Sequence, residues 1–238
     1  MPTAMAHDGT EIAWTSYGDG FPVVMSPIRR HGRTADGYAR EIADGHRLIL
    51  MDYPGPAKPD TLTPANAVAD VLAVLDAAGI DRFGWVGYSF GSVLGLQVAC
   101  AVPDRIAAFV CGGWTPMGAP YAGMVDLSET LARLVRRVLG KRRASSARQW
   151  VTFYRGLRDW DEAAAREALA TTPRLVLVGD RDRSSHAPLA DLVAAHEQAL
   201  IADGWDVRYL EGRHHSVLVR PSVVGPAVRD WLDANLPS

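Results

Sequence analysis

The 238-residue chain has only two cysteines, Cys100 and Cys111. Both lie in apolar runs, so they are expected to be reduced core residues in a reducing compartment rather than a disulfide framework. No apolar run approaches the ~20 residues needed to span a bilayer. Met1 to Gly9 lacks a basic stretch followed by an apolar one, so no secretory signal is expected and the chain reads as cytoplasmic. A formal charge of only -2 gives no global attraction to nucleic acid or to an anionic membrane. There is no HExxH, no C-x-x-C and no phosphate-cradling G-x-x-x-x-G-K-[ST], so neither a metal nor a nucleotide cofactor is expected.

What is present is a globular composition, 48% hydrophobic and 22% charged, sufficient for one substantial core. Short apolar runs alternate with helical patterns. Thr10 to Tyr17, Val23 to Met25, Leu48 to Met51, Phe83 to Val86, Ile106 to Cys111, Leu175 to Val178 and Val207 to Leu210 read as strands. Helices are expected at Tyr38 to Ala43, from the Thr63-Pro64 start to Gly79, at Ser92 to Val102, along Leu189 to Leu200 and from Pro221 onward. Ile28 to Gly37 reads as a polar loop, as does Tyr53 to Thr63 with Pro54, Gly55, Pro56 and Pro59. Such alternation implies an α/β fold, a doubly wound, mostly parallel sheet covered on both faces. Trp114 to Thr172 breaks the pattern with three helical stretches, Leu127–Leu139, Ala147–Leu157 and Asp161–Ala170, and no strand. The expected organisation is a core of residues 1–113 and 173–238, with a helical lid insertion at 114–172.

Gly87-Tyr88-Ser89-Phe90-Gly91 stands between the strand ending at Val86 and the helix from Ser92. In that context G-x-S-x-G describes a sharp turn exposing a nucleophilic serine. Side chains beside the serine would clash, so glycine is needed at 87 and 91. The helix behind it directs free N–H groups at developing negative charge. A serine hydroxyl needs a base to take its proton, usually a histidine oriented by a carboxylate. Asp180 and Asp182 follow one later strand, and His214 and His215 follow the next. In a doubly wound sheet, chemistry collects at these strand ends.

With these residues the chain resembles the α/β-hydrolase superfamily over nearly its full length. Asp8-Gly9-Thr10, Pro103-Asp104-Arg105-Ile106 and Gly179-Asp180-Arg181-Asp182 are similar to family segments. The resemblance implies Ser89 as nucleophile, Asp182 as the acid (Asp180 being the other candidate) and His214, seven residues before Pro221, as the base in preference to His215. It also implies an oxyanion hole made by the backbone N–H groups of Phe90 and of the residue after a His-Gly pair. That pair is missing here. Aligning Pro27-Ile28 with it makes Arg29 the donor, and a shift by one makes it Ile28. Arg213 and Val219 also depart from the family pattern, where glycine and glutamate are usual.

Arg29 and Arg30 could hold an anionic substrate group or simply be solvated. Arg133, Arg136, Arg137, Lys141, Arg142 and Arg143 could meet coenzyme A phosphates or an acidic carrier, or form a solvated helix face. Trp114, Tyr121, Trp150, Phe153, Tyr154 and Trp160 are divided between packing and an apolar pocket. His7, His46, His186 and His196 read as surface or helix residues; His31 lies beside the expected oxyanion hole. The expected activity is hydrolysis of a carboxylic ester of a small-molecule acyl substrate. The alternatives are a thioesterase or acyl-transfer enzyme working with coenzyme A or a carrier protein, and a non-catalytic ligand-binding member of the same fold. A homodimer is compatible with this reading.

Overall fold

Eight strands form one sheet in the computed structural model, which describes residues 2–53, 60–183 and 187–237, without the side chains of 139–146. Pro54, Gly55, Pro56, Pro59 and His186, and the side chains of Lys141, Arg142 and Arg143, lie outside the described residues. The strands are β1 (Thr3–Met5), β2 (Glu11–Tyr17), β3 (Phe21–Ser26), β4 (His46–Met51), β5 (Phe83–Tyr88), β6 (Ile106–Gly112), β7 (Arg174–Gly179) and β8 (Trp205–Leu210). Their order is β1-β2-β4-β3-β5-β6-β7-β8. β2 runs antiparallel to β1 and β4, and every other neighbouring pair is parallel. β1 is absent from the sequence reading because three residues are too few to show a period of two.

Alternation along the strands feeds two cores. Val24, Ile49 and Trp85 face one side of the sheet, and Val23, Leu48 and Val86 the other. Fully burying a side chain as large as Trp85 contributes roughly 4–6 kcal/mol. Helices α1 (Arg33–Ile42) and α7 (Pro221–Asn235) cover one face; α2 (Pro64–Ala77), α3 (Phe90–Ala101) and α6 (Leu189–Ala202) cover the other. α2 starts as expected, with the Thr63 side chain accepting the Asn66 N–H at 3.2 Å.

α1 begins at Arg33, inside the stretch expected to be loop. Ala35, Tyr38 and Ile42, spaced along one helical face, are all fully buried. Gly37 does not break the helix: a Cβ there would lie 2.5 Å from the Pro221 ring, so it is the contact through which α1 packs on α7.

Between β6 and β7 the chain is helical, as α4 (Tyr121–Arg155) and α5 (Ala163–Ala168). The expected first two helices both fall within α4, which is not a straight rod. A straight helix would put Glu129 and Arg155 about 39 Å apart. Instead Arg155 Nη2 donates to Glu129 Oε1 at 2.7 Å. α4 therefore doubles back between Arg136 and Arg148, giving two arms side by side, arm one running from Tyr121 to Arg136 and arm two from Arg148 to Arg155. At the far end of the segment the buried Arg174 guanidinium donates to the carbonyls of Leu169, Ala170, Thr172 and Asp203 and lies over the Trp205 ring.

Cys111 is buried in β6, where burial pushes its thiol up to about 12, whereas Cys100 is exposed on α3 rather than in the core. Two of the histidines expected on the surface are structural pins. Asp70 on α2 accepts from the His7 backbone at 2.6 Å and its ring at 2.8 Å. The buried His46 ring bonds Asp233 of α7 at 2.9 Å. His196 lies on α6, its ring bonded to the Leu192 carbonyl. Among the described residues no helix is long and apolar enough to cross a membrane.

Candidate active site

The site is built at the carboxyl ends of the parallel strands. Ser89, between β5 and α3, has φ 51° and ψ -118°, and is the one non-glycine with positive φ among the described residues. Such a conformation costs about 1–3 kcal/mol and survives only where its surroundings impose it. Here the surroundings are backbone. A Cβ on Gly87 would lie 2.6 Å from the Gly91 carbonyl oxygen, and one on Gly91 2.0 Å from that of Ser26. The Gly112 carbonyl accepts both the Ser89 N–H and the Ser92 hydroxyl at 2.8 Å, tying the turn to β6. The Trp85 indole donates to the Gly91 carbonyl at 3.0 Å from behind.

The same close approach sets the Ser26-Pro27 peptide, which is cis, directly against the turn. Ile28 is buried and Arg29 exposed. Among the described residues, the backbone N–H groups of Ile28, Arg29 and Phe90 have no acceptor. Arg30 is not free to hold a substrate: its Nε donates to Asp52 Oδ2 at 2.7 Å, and its carbonyl accepts the Tyr17 hydroxyl at 2.6 Å. The Arg29 side chain makes no ion pair among the described residues. His31 stands beside Arg30, its ring bonded to the Arg30 guanidinium.

The acid turn after β7 and the histidine loop after β8 are stitched together. Arg181 N–H donates to the Arg213 carbonyl at 2.9 Å, and a Cβ on Gly179 would lie 2.3 Å from that oxygen. Asp180 belongs to this stitching. The Gly212 and Arg213 N–H groups hold its carboxyl below the usual carboxylate range. Asp182 is 2% exposed, and its Oδ2 accepts from His215 Nδ1 at 2.8 Å.

His214, the histidine favoured by the resemblance, does not reach the acid. Its exposed ring turns back onto the Arg181 carbonyl at 2.8 Å. His214 has extended backbone, and His215 opens a 3₁₀ turn through Val219. The change of conformation between them aims the two rings apart, and only the second points at Asp182. Of the two candidate histidines it is therefore His215, and not the expected His214, that the structure brings to Asp182. Tyr88 supports His215, with ring centroids 5.5 Å apart at 57°. Tyr88 is itself 2% exposed, and burial, with the nearby Asp182 charge, raises its phenol well above the ordinary value. Nothing in the sequence marks Tyr88 as a support for His215, because the contact joins two strand ends.

The His215–Asp182 bond leaves Nε2 as the ring nitrogen able to accept a proton. Ser89 Oγ and His215 Nε2 are not hydrogen-bonded to each other here; such bonds are often long before substrate binds. Phe90 is held from above by arm two of α4, with its ring 4.7 Å from Trp150 and 4.9 Å from Phe153. Trp114, Tyr121 and Trp160 pack together at the root of α4, and Tyr154 packs on Phe153. Among the described residues no group of three or more His, Cys, Asp or Glu side chains could hold a metal ion.

Residues 31–186 match a family model described as the alpha/beta hydrolase fold. A putative carbamate hydrolase RutD of Azorhizobium caulinodans is 28% identical over 125 residues, covering 48% of this chain and 45% of the relative. A 2-hydroxy-6-oxo-6-phenylhexa-2,4-dienoate hydrolase of Comamonas testosteroni is 32% identical over 123 residues, covering 46% and 42%. The chain thus spans about half the length of the curated relatives it matches. Among solved structures, a carboxylesterase of Nitrososphaera gargenis superposes with TM-score 0.68 at 15% identity over 98% of both chains. A malate-bound esterase of Thermogutta terrifontis gives 0.67 at 20%, over 98% of this chain and 97% of the other. At these identities the structural likeness is one of fold.

Proposed function

Because the chain belongs to the α/β-hydrolase fold family, we propose that it is a serine hydrolase cleaving a carboxylic ester through an acyl-enzyme. The observation that carries this reading is the left-handed backbone of Ser89, imposed by contacts that only glycine permits at 87 and 91. Ser89 Oγ attacks the ester carbonyl while His215 Nε2 takes its proton. The buried Asp182 carboxylate fixes the imidazole through Nδ1 and offsets the charge it gains. The Phe90 and Arg29 N–H groups receive the negative charge on the carbonyl oxygen, with the Ile28 N–H as the alternative to Arg29. His215 then returns the proton to the departing alcohol. Water, deprotonated by the same nitrogen, releases the acid and restores Ser89. In this reading the helices of residues 114–172 act as a lid, their aromatic side chains walling the acyl site above Phe90.

A thioesterase differs only in the leaving group. Of the α4 cations that would favour one, Arg133 and Arg136 line a cleft between the two arms, on the side of arm two away from Phe90, so the oxygen ester is the preferred reading. The test is turnover of matched acyl groups as an aryl ester and as an acyl-coenzyme A. The expected result is faster hydrolysis of the oxygen ester. Faster cleavage of the thioester would replace the proposed leaving group, and inertness of folded protein toward both would contradict hydrolysis of carboxylic esters altogether.

A further inference from the structure

The fold-back of α4 leaves an open cleft of about 350 Å³ between its arms. Arg133 and Arg136 enter it from arm one, and Arg148 and Arg155 from arm two, with Ala132 and Val151 beside them and Glu129 the one lining carboxylate among the described residues. The cleft is separate from the Ser89 site. On arm two, Trp150 and Phe153, which hold Phe90, lie about half a turn around the helix from Arg148, Val151 and Arg155.

The chain as a whole carries -2, yet four guanidiniums converge here and two described carboxylates, Glu129 and Asp60, pair with them. Two are engaged. Arg155 donates to Glu129, and Arg148 reaches out to both oxygens of Asp60 at 2.8 and 3.0 Å. Among the described residues Arg133 donates only to the Thr130 hydroxyl, at 3.3 Å. Arg136 ion-pairs with no described residue. On a solvated convex helix like charges diverge, but the fold-back gathers these into one concavity, where each raises the electrostatic cost of the others. A multivalent anion relieves that repulsion. Guanidinium forks match the oxygens of phosphate, and a phosphate has enough of them to bond arginines of both arms at once, whereas a carboxylate has two.

We propose that this cleft binds a phosphate-bearing anion that bridges the two arms of α4. The anion ties Arg133 and Arg136 to Arg148 and Arg155, and so stiffens the arm that rests on Phe90.

The experiment titrates the whole protein with inorganic phosphate by calorimetry at about 0.15 M ionic strength, where weak surface attraction is screened. In parallel, cosedimentation compares vesicles of phosphatidylcholine alone with vesicles that also contain phosphatidylglycerol. The expected result is saturable phosphate binding, weakened about tenfold or more in the Arg133→Gln, Arg136→Gln double variant. Its melting temperature, and its ester turnover in phosphate-free buffer, should stay those of the parent. Binding seen only with anionic vesicles, and lost in the double variant, would assign the phosphate to a lipid headgroup and uphold the site. No saturable binding of either probe, or binding that the double variant retains, would overturn it.

Discussion

Replacing His215 by Gln is expected to lower kcat for a small aryl ester by about 10⁴-fold or more, while His214→Gln stays within about threefold of the parent. The two residues are adjacent and chemically identical, so the contrast isolates position. His215 Nδ1 is fixed by Asp182, which leaves Nε2 to take the serine proton; glutamine keeps an amide near the acid but cannot act as that base. Among the described residues the His214 ring bonds only a backbone carbonyl on the acid turn, and this exposed ring can be exchanged for an amide at little cost. Circular dichroism of both variants separates lost chemistry from lost fold. Equal losses in both would mean that the stitched loops act as a unit. A loss in His214→Gln alone would return the base to the neighbouring residue.

Gly91→Ala is expected to destabilise the fold by about 3 kcal/mol or more, lowering Tm by roughly 6–12 °C. Its Cβ would lie 2.0 Å from the Ser26 carbonyl oxygen and 2.5 Å from the carbonyl carbon, both backbone atoms. No side-chain rotation relieves such a contact, so either the Ser89 turn or the end of β3 must move. Both carry proposed parts of the site, the nucleophile and the donor segment Ile28–Arg29. Activity that survives should therefore show kcat reduced by about 10²–10³, the value of one oxyanion donor. Thermal unfolding and kinetics on the same preparation check both effects. An alanine variant with parental Tm would show that the two backbones are not in this contact.

The reasons for these effects differ in how far they can be read from sequence. The sheet core is legible because strands buried on both faces must be continuous apolar runs, as at Leu48 to Met51 and Leu175 to Val178. The Ser89 turn is legible because its constraint is local: two glycines flank a serine at a strand–helix junction. The histidine that meets Asp182 is not, since a single residue's change of backbone conformation decides which of two consecutive rings reaches it. Nor is the engagement of Arg30, which depends on the end of β4 bringing Asp52 beside the loop after β3. The doubling back of α4 is hidden for a further reason. Helical periodicity records which face is buried, not whether two helical stretches lie end to end or side by side. Gly37 shows the converse error, a glycine that looks like a breaker but serves a helix–helix contact.

An acyl-enzyme mechanism requires that Ser89 become covalently acylated. Its most direct test is to mix the protein with a p-nitrophenyl ester whose acyl group leaves the enzyme slowly, quench in acid and map the adduct by mass spectrometry. The expected product carries one acyl group, on Ser89, formed much more slowly in His215→Gln. An acyl group on a different residue, or steady ester turnover with no acylated protein at any time, would contradict that mechanism.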